Sequence, residues 1–240
     1  MDQLREALKV YDFKHKERYG VNQDGGYVVG ILNTNYDCYI SCGVANEESF
    51  SRDFIKSYKN EHLCKTNCFA FDGTISDYPW KYTKDINFIK KNISDFNDCK
   101  NTNLNDLIEK YDNIFMNMDI EGGEYRWLMH IQENDLRKFK QIVIEFHGVS
   151  TNSWGATFED KLKCLQKLAK THYIIHVHAN NYGHVTHDIP QVVEATYVAK
   201  SYFTEIPSFN TRPFPMEGLD FKNNIHKPEI VLNMYPFCFN

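Results

Sequence analysis

Residues 114–120, with the sequence IFMNMDI, decide the fold class. This run is almost continuously apolar, which is typical of a strand in a parallel sheet whose two faces are both covered. The sequence GEYRWLMHIQE follows at 123–133 and is predicted to be the next helix. A buried strand followed directly by a helix is the repeating unit of α/β proteins.

Six further strand-like runs lie on either side of this unit, with helical patterns between several of them. The spacing of Phe50, Phe54 and Tyr58 predicts one helix, and a capping box at Thr157 and Asp160 predicts the start of another. The six runs are YDCYIS (36–41), CFAF (68–71), INFIKKNI (86–93), KQIVIEFHG (140–148), HYIIHVHAN (172–180) and EATYVAKSYF (194–203). Together they predict a doubly wound, mostly parallel seven-stranded sheet with helices on both faces.

The composition is that of a globular protein. Hydrophobic residues make up 42% and charged residues 25% of the 240 residues, and neither repeats nor linkers interrupt them. We therefore predict one domain over residues 1–240. The net charge of -5, with scattered Lys and Arg, argues against a nucleic-acid partner.

The sequence also predicts the cellular compartment. No apolar run approaches the length of a membrane span and residues 1–10 lack a signal-peptide pattern, so we predict a cytoplasmic protein without a membrane partner. Cys38/Cys42 and Cys64/Cys68 are each four apart, a spacing that suggests a metal knuckle, but reduced, mostly buried thiols are the favoured interpretation. The oligomeric state stays open.

In such a sheet, ligands bind beyond the carboxyl ends of the strands. Gly43 follows the first core strand and would permit a tight turn and the close approach of a nucleoside or amino-acid ligand. No GxGxxG motif is present there, which argues against a dinucleotide-dependent oxidoreductase. Asp72 follows the second strand, where an ionised carboxylate can accept hydrogen bonds from both ribose hydroxyls. A solvated loop aspartate is the alternative.

Acidic side chains cluster after the 114–120 strand. Asp119 and Glu121 lie on the same face by strand alternation, and burying them is costly unless they bind something. Glu124 also suits a helix N-terminus. Glu145 and His147 end the next strand, which is expected to neighbour this one, so His147 is a candidate general base facing the same cleft.

Two of the histidines in the 172–180 strand have the spacing of a metal-binding pair. His176 and His178 share one face, as a metal-binding pair would. A third ligand at a suitable spacing is not evident, so polar contacts at the strand end are the favoured interpretation.

Taken together, these motifs resemble the FkbM-like family of S-adenosylmethionine-dependent methyltransferases, over nearly the whole chain. The most specific piece is MDIEGGEY at 118–125. Supporting pieces are RYGVNQDGGYVV, SCGVANEESF, FAFD, IVIEFHG and HVHANN, in this order along the chain. The sequence departs from the usual pattern at the first strand, whose loop has only Gly43 where an acidic, glycine-rich loop is common.

The resemblance implies a role for each strand end. Gly43 would border the amino-acid end of S-adenosylmethionine, and Asp72 would hold its ribose. Asp119 and Glu121 would line the reaction cleft beside Glu145 and His147. The remaining implied cofactor contacts are Ile93 and Ser94 near the adenine, Asp24, Gly26 and Tyr27 as a cover, and Arg18 as a carboxylate partner.

The implied reaction is O-methylation of a small-molecule or glycan acceptor. The sulfonium methyl is already activated, so the enzyme mainly has to align the acceptor hydroxyl, with His147 or Asp119 as its base. Alternatively, a divalent cation held by Asp119 and Glu145 would lower the pKa of the hydroxyl. Two rivals stay open: a nucleotide-sugar-dependent transferase on the same fold, and a non-catalytic cofactor-binding module.

Overall fold

The computed structural model describes residues 1–61, 66–81 and 83–239 and places most of the strands in one central sheet. The strands are β1 (Lys16–Tyr19), β2 (Tyr27–Gly30), β3 (Cys38–Cys42), β4 (Asn67–Phe71), β5 (Asn87–Ile89), β6 (Asn92–Ile93), β7 (Asn101–Thr102), β8 (Ile114–Met118), β9 (Phe139–His147), β10 (His172–Ala179), β11 (Val185–Thr186), β12 (Ile189–Pro190) and β13 (Val192–Ala199).

Seven strands make up the central sheet, in the order β10-β13-β9-β8-β3-β4-β5. The five strands from β9 to β5 pair in parallel, whereas β13 runs antiparallel to both β9 and β10. The predicted mostly parallel seven-stranded sheet is therefore confirmed, and β9 does neighbour β8 as expected. The order changes direction at β3, so the chain runs from β3 to β4 on one side and from β8 to β9 on the other, and a ligand cleft is expected where these connections part.

The helices are α1 (Asp2–Ala7), α2 (Ser49–Glu61), α3 (Asn105–Lys110), α4 (Glu124–His130), α5 (Glu133–Leu136) and α6 (Phe158–Thr171). The Thr157 hydroxyl accepts a hydrogen bond from the Asp160 amide at the start of α6, as the capping box predicts. None of the helices within the described ranges has the length and apolarity needed to cross a bilayer.

Two apolar clusters divide the core. Successive residues of β3, Tyr39 and Ile40, belong to different clusters because strand side chains alternate between faces. The Ile40 cluster includes side chains of α1, α4 and α6. The Tyr39 cluster includes Phe50 and Phe54 of α2, whose rings pack around Phe115 of β8.

The structure corrects three predicted boundaries. The 86–93 strand is split, since β5 joins the central sheet whereas β6 pairs with β7. The 194–203 strand ends at Ala199 and continues as a 3₁₀ turn, Lys200–Tyr202. The helix predicted after 120 is divided into α4 and α5.

The cysteines match the thiol interpretation where the structure describes them. Cys38, Cys42, Cys164 and Cys238 are buried free thiols, and Cys99 is exposed. Cys64, one member of the second pair, lies outside the described residues.

Candidate functional site

A cavity of about 580 Å³ lies beyond the carboxyl ends of β3, β4 and β8. Seven of the residues singled out in the sequence line it: Asp24, Tyr27, Gly43, Asp72, Ile93, Asp119 and Glu121. The other five, Arg18, Gly26, Ser94, Glu145 and His147, are not among the lining residues. The volume is within the range of pockets that hold a nucleoside-sized ligand.

Gly43 lies where the loop after β3 meets the loop after β8, at the centre of the cleft. Its φ is +79°, and a Cβ at this position would overlap the carbonyl oxygen of Asp119. The amide of Asp119 in turn donates to the carbonyl of Cys42 over 2.9 Å. The glycine is thus required by the close approach of two strand-end loops, as well as by its left-handed backbone.

Asp72 organises the loop after β3. Its Oδ2 accepts hydrogen bonds from the amides of Val44 (2.9 Å) and Ala45 (2.8 Å), and its Oδ1 accepts from the amide (2.7 Å) and hydroxyl of Thr74. Burial alone would raise the pKa of Asp72, but these hydrogen bonds together hold it below the ordinary value. A ribose bound here would have to share oxygens that already accept four hydrogen bonds.

Asp119 is a half-buried acid that lines the cavity. The Tyr27 hydroxyl donates to its Oδ2 over 2.9 Å, while its Oδ1 is buried without a hydrogen-bond partner among the described residues. Burial raises the pKa of Asp119 to about 6. A carboxylate with a pKa near neutrality and a free oxygen can take up a proton.

Glu145 lies next to Asp119 but behind the cavity wall. Burial, and next the negative charge of Asp119, raise the pKa of Glu145 well above its ordinary range. Its Oε1 accepts a hydrogen bond from the Asn180 amide over 2.8 Å. The sequence expectation that the ends of β8 and β9 place their acids together agrees with this geometry.

His147 lies between two glutamates. Its Nδ1 is 3.2 Å from Glu124 Oε1 and its Nε2 is 3.3 Å from Glu121 Oε2. Burial would lower the pKa of His147, but Glu124, Asp119 and Glu121 together raise it above the ordinary value. The raised pKa favours the imidazolium form, which has no lone pair with which to accept a proton.

Glu124 also shapes the turn that carries Asp119. It is fully buried at the start of α4, and its Oε1 accepts from the amides of Ile120 and Gly122. Glu124 thus accepts backbone hydrogen bonds at the N-terminus of α4, which is the structural role that the sequence offered as an alternative to a catalytic one.

Arg18 supports the loop that covers the cavity. Its guanidinium donates to the carbonyls of Val21, Gln23 and Leu219, so its hydrogen bonds go to backbone and not to the cavity. A Cβ at Gly26 would meet the carbonyl of Val21 and the Arg18 side chain. Both residues thereby fix the segment that presents Asp24 and Tyr27.

Of the two residues expected near the adenine, Ile93 lines the cavity and Ser94 does not. Ile93 of β6 lines the cavity, together with its neighbours Lys91 and Asn92. Ser94 is buried, and its hydroxyl donates to Asp95 over 3.1 Å.

His176 and His178 of β10 each have carboxylate partners. His176 Nε2 lies 2.7 Å from Asp220, and His178 lies between Glu194 (3.0 Å) and Glu229 (2.8 Å). The partners of these two histidines come from β13 and from the C-terminal segment.

Sequence reasoning missed two residues beside Glu145. Glu194 of β13 and Asn223 of the C-terminal segment are buried, and Asn223 donates to Glu194 over 2.6 Å. A glutamate within the apolar run EATYVA was a visible signal for the first. No spacing in the sequence indicates the second.

Comparison with known families gives one match. A model of the methyltransferase FkbM domain matches residues 5–170. This range contains Asp24, Asp72, Asp119 and Glu145, and it ends just before β10, so Glu194 lies outside it. No curated protein matches the chain.

Proposed function

Because the chain belongs to the FkbM methyltransferase family, we propose that it transfers the methyl group of S-adenosylmethionine to a hydroxyl of a small polar acceptor, a sugar or glycan. The observation that carries this proposal is the cavity at the carboxyl ends of β3, β4 and β8, with Asp72 and Asp119 in its wall. We propose further that helices cover both faces of the central sheet. We also propose that the protein is cytoplasmic and does not bind nucleic acid.

The cavity wall fits a cationic, donor-rich cofactor. Three buried oxygens that belong to cavity-lining residues accept no hydrogen bond from the described residues: Glu48 Oε2, Asn117 Oδ1 and Asp119 Oδ1. Buried acceptors of this kind require a donor. S-adenosylmethionine supplies an ammonium group, ribose hydroxyls and a positive sulfonium, which complement such a wall.

Asp119 is the proposed general base. When bound, S-adenosylmethionine would supply the electrophilic methyl group for transfer to the acceptor oxygen, with S-adenosylhomocysteine as the leaving group. Asp119 accepts the acceptor proton on Oδ1, because Tyr27 already occupies Oδ2. His147 is assigned a supporting role, since its contacts with Glu121 and Glu124 favour the charged form, which cannot accept a proton.

Calorimetry with S-adenosylhomocysteine tests cofactor binding. We expect saturable binding by the wild-type protein and by Asp112→Asn, which changes an exposed acid, and weaker binding by Asp119→Ala. UDP-glucose is the comparison ligand for the nucleotide-sugar rival. Binding of UDP-glucose but of neither form of the methyl donor would overturn the proposal.

Turnover separates the enzyme from a non-catalytic binding module. Incubation with isotopically labelled methyl donor and a panel of mono- and oligosaccharides should give a labelled methyl ether. Asp119→Asn keeps the shape of the side chain but cannot take up the proton, so we expect it to lose about 100-fold or more of the rate. Cofactor binding without any product would favour the binding module.

A further inference from the structure

Trp154 carries an exposed indole on the loop that joins β9 to α6. The residue is 48% exposed, although tryptophan is on average among the most deeply buried residues of folded proteins. A single exposed apolar side chain is common and needs no explanation by itself. The backbone at Trp154 and the neighbours of its indole are unusual as well.

The turn that carries Trp154 holds it in a costly conformation. The amide of Ala156 donates to the carbonyl of Ser153 over 3.2 Å, and the two residues between them, Trp154 and Gly155, have φ values of +53° and +72°. Tight turns with two positive φ values favour Asn and Gly, and a bulky side chain there is an outlier. Residues strained in this way persist where their surroundings impose them, and they cluster at functional sites.

The surroundings of Trp154 do impose its position. A Cβ at Gly122 would lie 2.8 Å from the Cβ of Trp154, and a Cβ at Gly148 would lie 2.7 Å from its Cδ1, so both glycines leave room for this side chain. The ammonium group of the buried Lys161 donates to the carbonyl of Gly148 over 2.7 Å and to Ser153 Oγ over 3.3 Å. The indole is thus held in one place while about half of the residue stays exposed.

The fixed indole lies next to the proposed reaction centre. Its ring centroid is 4.8 Å from that of His147. His147 Nε2 lies 3.3 Å from Oε2 of Glu121, which lines the cavity. An oxygen of Asp119 lies within 4.8 Å of a ring nitrogen of His147. Trp154 and the proposed base therefore both lie close to the same imidazole, a separation that one sugar ring can span.

The charge of the cavity wall discriminates among polar acceptors. The lining residues include one lysine, Lys91, and six acids: Asp24, Glu47, Glu48, Asp72, Asp119 and Glu121. Juxtaposed like charges act against the wrong partner, so such a wall repels an anionic acceptor. Ionised carboxylates accept hydrogen bonds from neutral hydroxyl groups.

We propose that Trp154 is the stacking platform for a neutral sugar ring of the acceptor. The C–H groups on one face of a pyranose are apolar and weakly positive, and they complement the negative face of an indole. Glu121 beside it accepts hydrogen bonds from the sugar hydroxyls. This inference rests on the proposed function and specifies its acceptor as a neutral sugar, not an anionic one.

Saturation-transfer-difference NMR tests the platform, because it detects weak sugar binding. The protein, saturated with S-adenosylhomocysteine, is mixed in turn with the methyl β-glycosides of glucose and galactose and with the anionic methyl β-glucuronide. We expect binding of a neutral glycoside, with the strongest signals from the C–H protons of one ring face, and affinity for the glucuronide lower by about 10-fold or more.

Variants of Trp154 separate stacking from other contacts. Trp154→Ala removes the aromatic face, and we expect the affinity for the neutral glycoside to fall by about 10-fold. Trp154→Phe keeps an aromatic face and should retain most of the binding. Phe209→Ala is the matched control, since Phe209 is 40% exposed and packs on Tyr11, away from the cavity, and it should bind the glycoside like the wild type.

S-adenosylhomocysteine affinity reports the folding of each variant and should be unchanged in all of them. Equal glycoside binding by Trp154→Ala, equal binding of the glucuronide, or no binding of either neutral glycoside would overturn the inference. S-adenosylhomocysteine binding in that case would leave methyl transfer standing, whereas its absence in the wild type would remove the proposed function itself. If Trp154→Ala does not fold, Trp154→Leu gives the same comparison, because leucine is apolar but not aromatic.

Discussion

The carbonyl oxygen of Asp119 occupies the space that a side chain at Gly43 would need. Gly43 directly follows β3 and Asp119 directly follows β8, so this contact sets how closely the two central loops approach each other. Anything that separates them also moves the acid that we propose as the base.

Gly43→Ala should therefore destabilise the protein by about 1–3 kcal/mol, because the new methyl group overlaps backbone and the φ of +79° disfavours alanine. Urea unfolding measures this loss, and S-adenosylhomocysteine affinity should fall with it. Gly218→Ala is the matched control, since Gly218 has a φ of +78° and open space around its Cβ position. Equal losses in the two variants would show that the Asp119 contact is unimportant.

Asp72→Asn should weaken both stability and cofactor affinity. The amide nitrogen of asparagine cannot accept the hydrogen bonds from Val44 and Ala45 or those from Thr74, so one pair of donors is left unsatisfied. We expect a loss of about 1–3 kcal/mol in the free energy of unfolding. Thr74→Val, which removes only the hydroxyl contact, should leave the loop after β3 intact. A fully stable Asp72→Asn protein would contradict this assignment.

Tyr27→Phe should shift the pH dependence of methyl transfer. The Tyr27 hydroxyl stabilises the ionised form of Asp119, so its removal raises the pKa of Asp119 further. We expect the acid limb of the pH–rate profile to move up by about one unit. Tyr197→Phe is the control, because the buried Tyr197 hydroxyl has no hydrogen-bond partner among the described residues. An unmoved acid limb would exclude Asp119 as the group that titrates.

The stability of the protein should fall between pH 6.5 and pH 4 through His172. Burial lowers the pKa of His172 to about 4, and its Nε2 lies 2.8 Å from the carbonyl oxygen of Phe139. The folded pKa lies below the unfolded one, so the unfolded chain takes up the proton first as the pH falls. The difference between the pKa of His172 in the unfolded chain and in the folded protein corresponds to about 3 kcal/mol in the free energy of unfolding.

Urea unfolding at pH 7.5 and pH 4.5 measures the His172 contribution. His172→Gln should be less stable at the higher pH and should lose less on acidification than the wild type. The other titrating groups are common to both proteins, so the difference between them isolates His172. Equal losses on acidification would contradict the buried, neutral histidine.

The sequence predicted the central sheet because its strands are nearly pure apolar runs. β8 and β9 neighbour each other, as their order along the chain implies, and this adjacency alone brings Asp119 and Glu145 together. The 86–93 run does not form the single strand that its apolar residues predict, because Lys90 and Lys91 interrupt it and the chain leaves the central sheet there.

The positions of Glu194 and Asn223 beside Glu145 could not be predicted in the same way. Glu194 meets Glu145 only through the antiparallel register of β13, and one residue of slip would turn Glu194 to the other face. Asn223 comes from a segment without helix or strand, where no periodicity indicates a neighbour. Local pattern does not encode such long-range contacts.

The insertion of β13 between β9 and β10 has a consequence for synthesis on the ribosome. Within the central sheet β10 pairs with β13 alone. A nascent chain that ends before residue 192 therefore carries an eight-residue strand, with Tyr173, Ile174, Ile175 and Val177 in it, that has no partner in this sheet, and one edge of β9 is left open. Open apolar edges invite pairing with other chains. Translational pausing before residue 192 is therefore the moment at which this protein is most prone to aggregate, and chaperone capture there would protect it.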